Sequence, residues 1–238
     1  MGNLPLKVSS PALATLLFAG YAEVPKTPPG PPPPQNLLGA TDELQLVTEL
    51  SLNLARDYSG KNVLVVMEID ETLLTGMPGQ DANPCARSED SQSSPMQPMQ
   101  ADASQLVRRM QDAGVQVIVL TARGPGCQSH TFADLRNNGF DFSAQAWPPI
   151  EGYPEPFLPA GGDRPVVYQD GVLFTAGQNK GLMLKALLDK TGGPQPVLIV
   201  MADRSRESLN EVMKEFSWSS TKVQAWRYTR GETRTTGP

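Results

Sequence analysis

An α/β fold with a mostly parallel central sheet is what this sequence predicts, on three observations. Residues 63–67 (VLVVM), 115–120 (VQVIVL) and 197–201 (VLIVM) are short apolar runs rich in Val, Ile and Leu. Such runs read as strands buried on both faces of a parallel sheet. Segments with helical spacing of apolar residues separate them, the alternation that builds βαβ units. All three runs end at polar residues: Glu68 and Asp70, Thr121, and Asp203. In open parallel sheets ligands bind beyond the carboxyl ends of the strands, so these endings mark one edge as the site.

The folded domain is expected to start near Leu37. Residues 41–56 predict a helix that Thr41 and Asp42 can cap, with Leu44, Val47, Leu50 and Leu54 on its apolar positions. The first strand, residues 63–67, follows. Residues 76–101 are long, polar and punctuated by Pro78, Pro84, Pro95 and Pro98. That is too long for a plain connection and predicts a small cap or loop insertion. Residues 103–113 read as an amphipathic helix closed by Gly114. After the second strand, residues 131–138 predict a short helix stopped by Gly139, and the proline- and glycine-rich residues 142–163 a loop region. Residues 165–175 hold two strand-like runs around Gln169-Asp170-Gly171, and Asp-Gly is a hairpin signal. A helix over residues 180–190 is broken by Gly192-Gly193-Pro194. The third strand, a helix over 205–216, a last strand over 222–228 and a polar tail at 231–238 complete the chain.

At 238 residues the chain is long enough for one α/β domain or a core with a cap. A net charge of −5, with no run of Lys or Arg, argues against a nucleic-acid binder. One histidine, His130, and two cysteines outside any C-x-x-C argue against zinc. Cys85 and Cys127 are expected as free, half-buried thiols, with pairing left open for an exported protein. Residues 1–22 are signal-like: Lys7, an apolar stretch at 12–19, and a small-x-small pattern at Gly20-Tyr21-Ala22. The apolar stretch is too short for a stable membrane span. Residues 16–20 (LLFAG) resemble the front of a bacterial lipoprotein box, yet Tyr21 stands where the lipidated cysteine belongs. Residues 23–36 are a proline-rich, semi-rigid linker. The layout predicts an exported protein, periplasmic or secreted; no protein partner is implied.

The stretch Glu68-Ile69-Asp70-Glu71-Thr72 closes a buried run and precedes Leu73-Leu74. It resembles the D-x-D-x-T signature of the haloacid dehalogenase (HAD) superfamily, and the order of the later motifs fits over roughly residues 37–230. The resemblance implies a Rossmannoid three-layer sandwich with a small cap, in a Mg²⁺-dependent phosphohydrolase acting on a small phosphorylated molecule. Position 68 would attack phosphorus and ligate Mg²⁺. Asp70 would act as acid and base, giving its carbonyl to the metal. Thr121 would hold a phosphoryl oxygen, Lys180 would neutralise charge at the nucleophile and phosphate, and Asp203 would ligate the metal. Arg123, two residues after Thr121, could add a guanidinium contact to phosphate. Within the superfamily the chain looks most like an exported bacterial branch that ends in a segment like Arg227-Tyr228-Thr229-Arg230.

Two positions depart from the pattern. The nucleophile aspartate is replaced by Glu68, and Ala202 stands where an Asp-Asp pair would have its first acid. Read instead as G-D-x-x-x-D, the last motif keeps Asp203 and Glu207. One extra methylene displaces the attacking oxygen by about 1 Å, a misplacement that costs on the order of 100-fold in rate. The expectation is therefore a phosphohydrolase weakened at its nucleophile. The alternative is a non-catalytic exported protein that binds phosphate or another ligand on the same scaffold.

Overall fold

The computed structural model describes residues 33–76, 85, 96–149 and 151–234. The signal-like segment, most of the linker and most of the 76–101 insertion lie outside the described residues.

The first strand, β1 (Leu37–Thr41), precedes helix α1 (Leu44–Tyr58). Then come β2 (Val63–Met67), the short β3 (Leu74–Thr75) and β4 (Gln97–Pro98), and α2 (Ala103–Asp112). Next are β5 (Gln116–Thr121), α3 (Gln128–Asn137), β6 (Tyr153–Phe157), β7 (Val166–Gln169) and β8 (Val172–Phe174). The chain continues through α4 (Lys180–Thr191), β9 (Leu198–Asp203), α5 (Arg206–Glu215), β10 (Lys222–Tyr228) and α6 (Arg230–Arg234).

Eight strands form one sheet in the order β1-β10-β9-β2-β5-β8-β7-β6. The pairs from β1 through to β8 are parallel; β8–β7 and β7–β6 are antiparallel. β2 lies in the middle between β9 and β5, and all five of its residues are buried. Its side chains alternate between two cores, as strand geometry requires. Val63, Val65 and Met67 pack with Leu44 and Val47 of α1 and Leu106, Val107 and Met110 of α2. Leu64 and Val66 pack with Leu184 and Leu187 of α4 and Leu209 and Val212 of α5. The result is three layers, helices on both faces of a mostly parallel sheet. Among the described residues no helix is long and apolar enough to cross a membrane.

Two local devices keep the layers tight. Asn179 caps α4 by accepting from the Leu182 N–H at 3.0 Å, and Gly192 ends the helix in the left-handed region at φ 63°. The β7–β8 hairpin turns through Asp170 at φ 48° and Gly171 at φ 74°, as the Asp-Gly signal predicts.

Four expectations are corrected. β1 was not foreseen as a strand; it completes the sheet only by pairing with β10. The loop predicted over residues 142–163 contains β6, whose Pro154 and Pro156 are tolerated because it is an edge strand. Lys190 lies over the rings of both Tyr153 and Phe157, at 4.6 and 4.7 Å, and pins that edge. The polar tail begins inside a short helix, α6. Finally, Cys85 and Cys127 are not free thiols: they form a disulfide that closes a separation of 42 residues. It ties one point of the insertion to the turn that opens α3.

Candidate active site at the carboxyl edge of the sheet

Because β2, β5, β9 and β10 run parallel, their carboxyl ends share one edge. Met67 pairs with Ala202 and Val119, and Asp203 with Arg227. Beyond Met67 the chain leaves the sheet, still tied to it by the Glu68 N–H donating to the Ala202 carbonyl at 3.0 Å. It then folds on itself. The N–H groups of Thr72, Leu73 and Leu74 all converge on the Ile69 carbonyl at 2.9–3.2 Å. Glu71 takes φ 58° to allow it, a left-handed conformation that costs a non-glycine residue about 1–2 kcal/mol. Strain of this kind collects at functional loops.

Three of the predicted residues meet at one point. The Lys180 ammonium contacts Glu68 Oε2 and lies 2.6 Å from Asp203 Oδ2. All three are buried: Lys180 is 4% exposed, Glu68 5% and Asp203 1%. The remaining oxygens are also held. Glu68 Oε1 accepts from the N–H groups of Ile69 at 2.9 Å and Asp70 at 3.3 Å. Asp203 Oδ1 accepts from the Ser205 N–H at 2.7 Å. Lys180 is unusual at the first position of a helix, where positive charge is disfavoured. Its backbone N–H donates to the Glu211 carboxylate at 2.8 Å, and the Glu68 and Asp203 carboxylates face its side chain. Burial pulls its amine below the ordinary lysine value, opposed by the charge and hydrogen bond of Asp203.

Asp70 faces a different partner. Arg123 grips its carboxylate with two parallel bonds, Nη2 to Oδ1 at 2.8 Å and Nε to Oδ2 at 3.1 Å. Arg123 Nη1 reaches Thr131 Oγ1 at 3.1 Å and Asp134 Oδ2 at 3.3 Å. The guanidinium is thus spent on two carboxylates within the protein, with only 3% of its side chain exposed, while the Asp70 side chain is 37% exposed. Thr121 is fully buried, and its Oγ1 accepts from the Arg123 N–H at 3.2 Å. Its hydroxyl hydrogen has no acceptor among the described residues. Glu207 sits exposed in the first turn of α5, apart from the buried Asp203.

Several participants were not foreseen. Thr131 and Asp134 fix Arg123 from one face of α3, three residues apart as helical neighbours must be. Thr72 Oγ1 accepts from the Arg204 N–H at 3.1 Å and thereby ties the β2 loop to the β9 loop. Thr131 carried a weak signal, as the polar start of a predicted helix; the long-range partners carried none.

As for metal, Mg²⁺ usually takes one or two carboxylates from a protein and completes its shell with water and substrate phosphate. Glu68 and Asp203 meet that description. They are two carboxylates sharing one ammonium, an excess of one negative charge in a buried spot. Among the described residues no group of three or more His, Cys, Asp or Glu side chains gathers into a cage. The residues therefore fit a two-carboxylate site, with the Asp70 side chain engaged elsewhere.

Fold and site together define an α/β protein with a carboxylate–lysine cluster at the carboxyl edge of a parallel sheet. The chain belongs to the family described as "Protein of unknown function (DUF2608)", whose match covers residues 91–236. That span holds Thr121, Arg123, Lys180 and Asp203; Glu68 and Asp70 precede it. No curated protein and no solved structure matches the chain.

Proposed function

We propose that the protein is a HAD-type, Mg²⁺-dependent phosphohydrolase for a small phosphorylated molecule, with turnover weakened by Glu68. The observation that carries this reading is the convergence of Glu68, Lys180 and Asp203 from three separate elements on one buried point at the carboxyl edge. In the reaction a Glu68 carboxylate oxygen bonds to phosphorus while the bond from phosphorus to the leaving oxygen breaks. Asp70, whose side chain is 37% exposed, passes a proton to that oxygen. Water then attacks the acyl phosphate, Asp70 takes the water proton, and phosphate departs with Glu68 restored. Lys180 balances charge on the phosphoryl oxygens and Thr121 donates its hydroxyl to one of them. Mg²⁺ bound by Glu68 and Asp203 would supply further charge neutralisation at the phosphoryl group. The Cys85–Cys127 disulfide supports export, since such bonds persist in oxidising compartments.

A specific observation favours a second reading, a non-catalytic phosphate-binding protein on the same scaffold. Both Glu68 oxygens are already engaged, one by two backbone N–H groups and one by Lys180, and Arg123 occupies both Asp70 oxygens. Hydrolysis of p-nitrophenyl phosphate separates the two. The enzyme reading expects slow, Mg²⁺-dependent turnover by the wild type. It expects loss of turnover in Asp70→Asn and a gain of on the order of 100-fold in Glu68→Asp, as the attacking oxygen regains its distance. No turnover by either wild type or Glu68→Asp would leave only the binding protein.

A further inference from the structure

Beside the Lys180 cluster opens a cleft of about 460 Å³ lined by Glu71, Arg204, Ser205, Arg227, Tyr228 and Glu232. It begins where the two site loops leave the sheet, since Glu71 follows Asp70 and Arg204 follows Asp203. Small-molecule pockets occupy roughly 300–1,000 Å³, so the cleft takes more than a phosphoryl group.

Most polar groups on its walls are already engaged within the protein. Glu71 Oε1 accepts from the Thr75 hydroxyl at 2.8 Å, and Ser205 Oγ accepts from the Ser208 N–H at 3.2 Å. The Tyr228 hydroxyl donates to Gln100 Oε1 at 3.1 Å, and Arg227 pairs with Glu232. Arg204 differs. Its backbone N–H is pinned to Thr72 Oγ1, while its guanidinium makes no ion pair or hydrogen bond among the described residues. Its charge is felt at Lys180, where it adds to burial in disfavouring the ammonium. An exposed arginine is ordinarily just solvated. This one is anchored by its backbone at the junction of the phosphate-site lysine and the cleft.

We propose that Arg204 reads a carboxylate carried by the substrate at the end remote from its phosphoryl group. The inference rests on the phosphohydrolase reading only in seating that phosphoryl group at Lys180. A guanidinium matches a carboxylate through two parallel N–H donors. Glu71 and Glu232 on the same walls favour a singly charged carboxylate over a second phosphate, because a dianion meets twice the repulsion. They also penalise an anion that misses Arg204, which gives the cleft positional selectivity.

Titration calorimetry on the full chain with Mg²⁺ tests this with two ligands of equal length, phosphoglycolate and ethyl phosphate, which differ in a terminal carboxylate against a methyl. Wild type should bind phosphoglycolate about tenfold more tightly, a modest value for one charge-assisted pair. Arg204→Gln should bring the ratio close to one, and Arg204→Lys should restore part of it. A ratio near one in the wild type, a ratio that survives Arg204→Gln, or no binding of either ligand would each overturn the inference. Turnover of ethyl phosphate read in parallel separates the two ideas. Turnover without the carboxylate preference removes Arg204's role and leaves the phosphohydrolase; preference without turnover does the reverse.

Discussion

At the scale of single residues, Lys180 carries the largest electrostatic burden in the site. A lysine 4% exposed is costly to keep charged, and the Glu68 and Asp203 carboxylates in contact with it, with Glu211 nearby, offset that cost. Those two are equally dependent on it. Lys180→Met should therefore destabilise the fold by about 3–5 kcal/mol, the usual cost of leaving buried charges unpaired, measured by urea unfolding. Added Mg²⁺ should recover part of the loss by binding the freed carboxylates. A loss below about 1 kcal/mol, or no response to Mg²⁺, would mean that the cluster is not held by its charges and is not a cation site. The three residues were legible in the sequence because each ends a buried strand or opens a helix. Arg123 was legible only as a cation near Thr121. Its grip on Asp70 spans 53 positions, and that distance is closed by packing of β5 against β2, which no local pattern encodes.

Elements set how closely these residues approach. At Gly181 an added Cβ would lie 2.3 Å from the Glu211 carbonyl oxygen, so α4 and α5 touch backbone to backbone at that point. Lys180 is its immediate neighbour and donates its own N–H to the Glu211 side chain. Gly181→Ala should force the helices apart and cost about 1–3 kcal/mol of stability by overpacking. It should also raise KM for a phosphate ester by shifting Lys180. Unchanged denaturation and kinetics would show that the approach is not tight. The long apolar strands and the helices between them were readable because their periodicity is strong. β1 and β6 were not, for separate reasons. Residues 37–41 are short and carry an interior glycine, Gly39, whose missing Cβ makes room for the Trp226 ring. Residues 153–157 alternate proline with other side chains, and only an edge position allows that.

For the whole molecule, the Cys85–Cys127 bond is a covalent cross-link between the insertion and the core. Closing a loop of this length stabilises by about 2–4 kcal/mol. Reduction, or paired replacement by serine, should lower the denaturation midpoint accordingly, and an unchanged midpoint would mean that the bond constrains nothing. The sequence left the pairing open because two lone cysteines have no spacing signature, and their meeting depends on long-range packing. In the proposed reaction a glutamate at the nucleophile position still attacks phosphorus. The most direct measurement is an acid quench of the wild type during turnover of p-nitrophenyl phosphate with Mg²⁺, followed by borohydride reduction and peptide mass spectrometry. The carboxyl of residue 68 should be recovered as an alcohol, while Asp70 and Asp203 should be recovered unchanged. p-Nitrophenol released with Glu68 intact, or none released at all, would contradict it.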